Sequence, residues 1–316
     1  MNDELSISVI IPTYNRTAAL MACLLALSRQ TGPPDGFEVI VVDDGSTDGT
    51  GAIVQHTFPF SLRYIWQENQ GDATARNSGA RHSQADLLIF IDDDILVEPG
   101  YIAELHKGHQ HHTNRIVIGT TQAQTSPGDQ TLLPVPFTDL CSNNMSLRRE
   151  DYFRIGEMQG LPFAGSDIWC DVDFAYRAYQ QGFSFYRAVK ARCLDQDFAV
   201  QNTAAASRRM EETAYRAVFL FQQHPGLPQY IPMLQDKGPI CWAEDSPKLI
   251  LRKLMRRVAS AAAVVWAMEK SAQVLENFFN APALTEKLYL WIRGSYMRRG
   301  YRRGLQDMQR GAREVI

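Results

Sequence analysis

The chain has 316 residues, of which 45% are hydrophobic and 21% are charged, and its net charge at pH 7 is −3. This composition is ordinary for a soluble globular protein, and five scattered cysteines without a C-x-x-C pair indicate neither a zinc site nor a disulfide framework. No signal peptide and no apolar run of about 20 residues is apparent, so we expect reduced thiols and a cytoplasmic location.

The first 120 residues alternate short apolar runs, which predict strands, with segments of helical periodicity. The predicted strands cover residues 7–11, 37–42, 62–66, 87–91 and 115–119, and the predicted helices cover 17–30, 47–57 and 73–82. Repeats of this length favour an α/β fold in which helices flank a mostly parallel sheet. Ligands of such sheets bind beyond the carboxyl ends of the strands.

The second half is less regular. It predicts a loop at 121–137, a strand at 143–147, helices at 171–181 and 203–223, and two or three helices after residue 248 that break near Pro282 and Gly294. Four histidines lie near the expected end of a helix, where a solvated, partly positive terminus is favoured over a metal site. They are His106, His109, His111 and His112.

Three consecutive aspartates, Asp92, Asp93 and Asp94, follow the apolar run at 87–91. Crowded carboxylates repel one another, and a divalent cation removes this repulsion and holds phosphate at the same time. Because alternate residues of a strand face the same way, we expect Asp92 and Asp94 to point together into the crevice, with Asp93 turned elsewhere. A solvated acidic turn is the alternative.

Two other predicted strand ends carry groups that suit a nucleotide. Tyr14 can stack on a base, and Arg16 can meet phosphate. An aspartate at position 43 or 44 can accept hydrogen bonds from a nucleobase or ribose, although capping of the next helix is the simpler alternative. The three polar strand ends should converge on one crevice.

Together these segments closely resemble the family-2 glycosyltransferases of the GT-A fold, in order and spacing as well as in composition. The matching sequences in the first half are S-V-I-I-P-T-Y-N-R at 8–16, V-V-D-D-G-S-T-D at 41–48, A-R-N-S-G at 75–79 and F-I-D-D-D at 90–94. In the second half, N-M-S-L-R-R at 144–149 with I-G at 155–156, and W-C-D-V-D-F-A-Y-R at 169–177, are similar to acceptor-side segments of that family.

The resemblance implies a nucleotide-diphosphate-sugar donor, a divalent cation (Mn²⁺ or Mg²⁺) and inversion at the anomeric carbon. It implies a nucleotide-sugar pocket that comprises Pro12, Thr13, Tyr14, Arg16, Asp44, Arg76, Asp92 and Asp93. It assigns metal binding to Asp92 and Asp94, and the general base to Asp171, for which a helix N-cap is the alternative. Residues 1–120 and 121–235 would be the donor and acceptor halves of the GT-A domain, and 236–316 a helical extension.

Two positions depart from the family pattern. Cys170 stands where the family usually has Glu before its catalytic Asp, and Asp195 stands in the region where many members place a metal-binding His. Asp195 could replace that histidine as an oxygen ligand. Alternatively, Asp94 and the diphosphate hold the metal without it.

Residues 248–316 contain 14 Lys and Arg against five Asp and Glu, a net charge of +9, whereas the rest of the chain has a net charge of −12. A basic amphipathic extension with Trp and Tyr can lie at an anionic membrane surface. Alternatively, its apolar face packs on the catalytic domain or forms a homodimer. No interleaved aromatic and basic pattern indicates nucleic-acid binding.

The sequence thus predicts a glycosyltransferase that adds a single sugar, from a UDP- or dTDP-linked donor, to a hydroxyl of a glycan or a lipid-linked acceptor. The processive synthases of the family carry a Q-x-x-R-W sequence and several membrane spans, and neither is present here. Bacterial-type surface glycan assembly at the cell envelope is the expected setting. A non-catalytic binding protein on the same fold and a sugar nucleotidyltransferase are the alternatives.

Overall fold

A computed structural model describes residues 5–32, 36–121, 131–160, 168–196, 203–279 and 282–314. The chain forms two compact units, residues 1–199 and residues 200–316. The predicted helical extension was expected to begin at residue 236, whereas the second unit begins at residue 200. The predicted division of the catalytic part at residue 120 stays a prediction.

The first unit is built on one nine-stranded sheet with the strand order β3-β2-β1-β4-β8-β6-β9-β5, in which β7 pairs with β9. The strands are β1 Ile7–Thr13, β2 Glu38–Asp43, β3 Ser61–Trp66, β4 Leu87–Ile91, β5 Ile95–Val97, β6 Arg115–Thr121, β7 Leu132–Pro134, β8 Asn144–Arg148 and β9 Ser184–Asp195. Strands β1 to β4 pair in parallel, so their carboxyl ends share one edge. Strand β8 runs antiparallel to both β4 and β6, so the sheet is mixed beyond β4.

The described residues of this unit form five α-helices. They are α1 Thr17–Leu27, α2 Asp72–His82, α3 Tyr101–Lys107, α4 Arg149–Ile155 and α5 Cys170–Gln180. The helix expected at 47–57 is instead a short 3₁₀ helix, Thr50–Gln55. It starts late because Gly49 adopts a left-handed conformation, with φ of 89°, and the Asp48 carboxylate accepts the Thr50 N–H.

Sequence periodicity missed β5, β7, β9 and α4. In β9 exposed Lys190 and Arg192 alternate with buried Ala191 and Cys193, and this period of two marks a half-buried strand. The other missed elements are only three to seven residues long, too short for a period to be recognised.

The expected solvated histidine terminus was wrong for two of its four members. His106 and His109 are buried, and only His111 and His112 are exposed. The His109 Nε2 lies 2.9 Å from the Ser146 Oγ. Burial, together with the charges of Arg115 and Arg148, lowers the pKa of His109 to about 3, so this ring is neutral and part of the core.

Helix α2 lies unusually close to the sheet at Gly79. A Cβ atom at this position would overlap Ile10 of β1 and would lie 3.3 Å from a methyl of Val42 in β2. On the same helix, the Asn77 amide donates to the Met158 carbonyl at 2.7 Å. These contacts fix α2 above the ends of β1 and β2.

The second unit consists of helices. They are α6 Thr203–Gln223, α7 Pro232–Gln235, α8 Pro247–Ala259, α9 Ala262–Phe278 and α10 Pro282–Glu314. Helix α10 runs through Gly294, where a break was expected. It packs closely on α6 at Gly300, where a Cβ atom would overlap the Glu211 carbonyl, and Arg303 bonds Glu212 at 2.9 Å. These contacts explain why α6 belongs to this unit.

No described helix has both the length and the apolarity needed to cross a bilayer.

Replacing Gly79 with alanine should lower the free energy of unfolding by about 1–3 kcal/mol, because overpacking against Ile10 and Val42 outweighs the higher helix propensity of alanine. Urea unfolding measures the effect. Ser78→Ala, one position earlier on the same helix, is the control, and its effect should stay within about 0.5 kcal/mol. Equal stability of the two variants would contradict the close approach of α2.

Candidate functional site

An open cleft of about 330 Å³ lies at the carboxyl ends of the parallel strands. It brings together the three polar strand ends that the sequence singled out. The lining residues are Pro12, Thr13, Tyr14, Arg16, Asp44, Asn69, Gly71, Asp72, Ala75, Asp92 and Asp93.

The three aspartates form a turn rather than the end of an extended strand. Strand β4 ends at Ile91, and the chain turns at Asp93 and Asp94. The predicted alternation therefore fails, and Asp92 and Asp93 both line the cleft. The Asp93 carboxylate accepts the Thr13 hydroxyl at 2.7 Å, and Arg16 bridges Asp93 and Asp94 at 3.0 and 2.7 Å.

A second arginine, Arg76, compensates the negative charge of Asp92 from the buried side of the turn. The Arg76 guanidinium is completely buried and donates to the carboxylates of both Asp72 and Asp92. Burial raises the pKa of Asp92 to about 7, even though the charge of Arg76 lowers it. Burial also raises the pKa of Asp93. Ionised carboxylates are thus energetically unfavourable at this turn, and the binding of an added cation is favourable.

Asp44 shapes the wall of the cleft. Its carboxylate accepts the Gln67 amide at 2.7 Å and the backbone N–H groups of Gln70 and Gly71 at 3.0 and 2.8 Å. These bonds fold the loop after β3 around the carboxylate. Its neighbour Asp43 accepts the Ser46 N–H at 2.7 Å and the Tyr64 hydroxyl, so it is a structural residue of the same corner.

Asp171 lies in the first turn of α5, where its carboxylate accepts the Val172 N–H at 2.8 Å. The N-cap position is held by Trp169, so the N-cap role considered for Asp171 does not apply. Burial raises the pKa of Asp171, while the charge of Arg76 lowers it and that of Asp72 raises it. Asp171 therefore lies within electrostatic range of Arg76 and Asp72, although it is not one of the residues that line the cleft.

Asp195, by contrast, ends β9 at the other side of the aspartate turn. It pairs with Ile95, the residue after Asp94, and the next N–H, that of Gln196, donates to the Asp94 carbonyl at 3.2 Å. In the described parts of the chain, no three acidic, histidine or cysteine side chains form a group that could hold a metal ion. The trio of Asp92, Asp94 and Asp195 is thus not assembled as a ligand set, because Arg76 and Arg16 hold the first two carboxylates.

The sequence of the first half decides the family. Residues 8–164 match the model of glycosyl transferase family 2. This chain belongs to that family. The match includes every cleft residue, and it confirms the family suggested by the four motifs.

Curated relatives of this family-2 chain match about a third of its length. Validoxylamine A glucosyltransferase of Streptomyces hygroscopicus subsp. limoneus is 45% identical over 106 residues, 33% of this chain and 23% of that protein. Glycosyltransferase AglE of Haloferax volcanii is 43% identical over 94 residues, 28% of this chain and 30% of that protein. The chain thus spans less than a third of the length of these relatives.

Solved structures confirm the GT-A fold. The mannosyltransferase PcManGT of Pyrobaculum calidifontis, in complex with GDP-Man and Mn²⁺, has a TM-score of 0.61 at 21% identity, covering 97% of this chain and 90% of that one. GalNAc-T7 with UDP, GalNAc and Mn²⁺ has a TM-score of 0.52 at 16% identity, covering 71% of this chain and 52% of that one.

Four lining residues of this family-2 chain were missed by sequence reasoning. Asn69, Gly71, Asp72 and Ala75 come from the loop after β3 and the first turn of α2. The signal was available: β3 is a fourth parallel strand whose carboxyl end lies at the same edge of the sheet. Its end carries no acidic cluster, so it did not stand out.

Asp171→Asn should stabilise the protein at neutral pH, because it removes a partly buried charge and keeps the oxygen that accepts the Val172 N–H. For a carboxyl whose pKa is raised, the cost of ionisation is absent below its ordinary value of 3.8 and complete above the raised value. The gain in melting temperature should therefore appear as the pH rises from about 4 toward neutrality.

Asp48→Asn is a control of opposite sign. Hydrogen bonds from Thr50 and Thr17 lower the pKa of Asp48 to about 2. The variant should be less stable than the parent at neutral pH, and the difference should shrink as the pH falls from 3.8 toward about 2. If the two variants follow the same pH trend, the burial assigned to Asp171 is refuted.

Proposed function

We propose that this chain transfers a single sugar, with inversion, from a nucleotide-diphosphate donor to a hydroxyl of a glycan or a lipid-linked acceptor. The observation that carries the proposal is the cleft, where the aspartate turn, buried Arg76 and the environment of Asp171 share one set of charges. The ligands bound in the two similar solved structures, GDP-Man in one and UDP with GalNAc in the other, support a nucleotide-sugar donor.

The cleft has the groups that a nucleotide diphosphate needs. Tyr14 is 49% exposed and offers a ring on which a base can stack. Helix α2 begins at Asp72, and both its N-cap residue Gly71 and Ala75 of its first turn line the cleft. The partial positive charge of a helix N-terminus favours the diphosphate. We assign a UDP- or dTDP-linked sugar to this pocket as part of the proposal.

The donor set at the turn suits a divalent cation. Carboxylate oxygens are the ligands that Mg²⁺ and Mn²⁺ prefer, and half-buried Asp92 and buried Asp93 have raised pKa values that a nearby cation would lower. Asp92 and Asp94 would hold the ion, which when bound neutralises charge on the departing diphosphate. Arg16, which is 39% exposed, would exchange Asp94 for phosphate.

Asp171 supplies the proton acceptor. An inverting displacement needs one carboxylate to take the proton of the attacking hydroxyl. Burial makes Asp171 more basic than an exposed aspartate, and Val172 holds its carboxylate in place. Cys170, where the family usually has Glu, is buried in the core and leaves this role to Asp171 alone.

The setting proposed for this reaction is surface glycan assembly from the cytoplasmic side of a membrane. The lipid-linked acceptor that such assembly uses fits single-sugar transfer.

Asp171→Asn should lower the rate of sugar transfer by about 10²–10⁴-fold, the usual contribution of a general base, and leave donor affinity unchanged. Product formation from a radiolabelled nucleotide sugar measures the rate, and calorimetry measures the affinity. Asp173→Asn is the matched control on the same helix turn, since Asp173 pairs with Arg177 at 2.8 Å. Parent-like transfer by Asp171→Asn would remove it as the base.

A thermal-shift panel of nucleotide sugars tests the donor and the cation. We expect the melting temperature to rise with a UDP- or dTDP-sugar only when Mn²⁺ is present, because a ligand that binds the folded state stabilises it by mass action. Asp94→Asn should abolish both this shift and transfer, and Asp195→Asn tests whether Asp195 contributes. Metal-dependent binding without hydrolysis or transfer would favour the non-catalytic binding protein.

A further inference from the structure

Helix α8 of the second unit directs two of its cations inward and a row of its apolar side chains toward solvent, the reverse of an ordinary amphipathic helix. Two cations face inward: the Lys253 Nζ donates to Asp245 at 2.6 Å and to the Pro239 carbonyl at 2.7 Å, and the Arg256 guanidinium lies 4.4 Å from the Trp291 ring centroid. Four apolar side chains face outward at helical spacing. They are Leu251, Leu254, Met255 and Val258, between 41% and 68% exposed.

Apolar residues placed this way need an explanation. The outward row follows positions i, i+3, i+4 and i+7, so the four side chains form one stripe rather than scattered single residues. Contiguous exposed apolar surface of this kind marks an interaction site. Since the inward face already carries buried ion pairs, turning the helix over would leave Lys253 and Arg256 without their partners.

Three arginines of α8 and α10 form a basic cluster, and one of them, Arg257, is exposed on the same helix as the stripe. Arg257 and Arg302 are exposed and Arg298 is half-buried, and burial together with the like charges of Arg302 and Arg257 lowers the pKa of Arg298, so both of these guanidinium groups lie within electrostatic reach of Arg298. In the described part of the chain none of the three forms an ion pair with a carboxylate. Helix α8 itself contains no acidic residue, and Lys248 and Arg252 are exposed beside the stripe. Like charges held together without an acid create a site for an external anion.

We propose that the outer face of α8, together with the Arg257, Arg298 and Arg302 cluster, docks the protein on an anionic phospholipid bilayer. The arginines contact lipid phosphates, while Leu251, Leu254, Met255 and Val258 enter the boundary between head groups and acyl chains. Both features are needed, since apolar area alone or charge alone gives weak and reversible attachment.

The positive charge of this surface favours an anionic membrane, rather than a second copy of the chain, as its partner. In a symmetric dimer through α8 the same surface meets itself, so Arg252 and Arg257 would approach the arginines of the partner. Burying like charges against each other is unfavourable, whereas the anionic surface of a membrane attracts them. The inference stands on the second unit alone and does not depend on the proposed sugar transfer.

Vesicle flotation with the full chain tests the proposal. The probes are vesicles of phosphatidylcholine alone and vesicles in which about a third of the lipid is phosphatidylserine. We expect the protein to float with the anionic vesicles only, and less at raised salt, because screening weakens the contact. The triple variant Arg257→Gln, Arg298→Gln, Arg302→Gln should lower the partition coefficient about 100-fold, roughly fivefold for each arginine.

Two further variants separate the parts of the surface. Leu251→Gln, Leu254→Gln, Val258→Gln should also abolish flotation, although the charge is unchanged. Arg29→Gln, Lys107→Gln, Lys190→Gln removes the same number of exposed charges from the first unit and should float like the parent. Circular dichroism and thermal melting show whether each variant is folded.

Three outcomes would overturn the proposal. The first is no flotation of the folded parent with anionic vesicles at low salt. The second is equal flotation with both vesicle types, or equal loss in the first-unit control. The third is a dimer in light scattering that Leu254→Gln dissociates while the parent ignores vesicles, which would assign the face to a second copy.

Discussion

Three carboxylates that follow one another at the end of a buried strand repel each other, and the architecture around the cleft depends on compensating them. Arg16 from the loop after β1 bridges Asp93 and Asp94, and Arg76 from α2 holds Asp92 from the interior. The two arginines come from different crossovers, so the edge of the sheet, the start of α1 and the position of α2 are coupled through one group of charges. The cost of removing one partner from such a buried group is high, because the other charge is left uncompensated. This constraint explains why the motifs lie where they do.

The motif A-R-N-S-G shows how one short segment meets several demands. Arg76 supplies the buried cation, Asn77 ties α2 to the Met158 backbone, and Gly79 lets the helix approach β1 and β2. Only the arginine is electrostatically part of the site. The other two residues determine where that guanidinium lies, and an error of about 1 Å in such a position is costly to a catalytic site. Asp44 plays a similar part on the opposite wall, since its carboxylate organises the loop that carries Gly71. A residue of a family signature can therefore be required for ligand binding without contacting the ligand itself.

The sequence predicted the elements that depend on local interactions, and it missed those that depend on contacts between residues distant in sequence. Strands β1, β2 and β4 were found because each is a nearly continuous apolar run that ends in polar residues, a local signal for a strand buried on both faces. Strand β3 is more exposed and was found from its shorter apolar and aromatic segment. Strands β5 and β7 are three residues each and exist only through pairing with β9, so nothing local announces them. The arrangement at Asp92 to Asp94 was misjudged for a related reason: the alternation of a strand was extended past Ile91, where the chain already turns. His109 was misjudged because its neighbours in sequence are polar, whereas its neighbours in space are Ser146 and the core.

The two units handle like charges in opposite ways, and the difference bears on what each would bind. In the first unit, the carboxylates of the aspartate turn pair with buried Arg76 and with partly exposed Arg16, yet burial keeps the pKa of Asp92 near 7, so the group retains affinity for further positive charge. In the second unit, Lys253 is paired inward with Asp245, while the like charges of Arg257 and Arg302 act on Arg298 and lower its pKa. A fold tolerates such a group when its stability is ample or when a ligand joins it, and the exposed apolar stripe on the same helix argues for the ligand. An acidic cluster in a cleft favours a small cation with its phosphate. A basic cluster beside exposed leucines favours an extended anionic surface, since only such a surface satisfies both the charge and the apolar area.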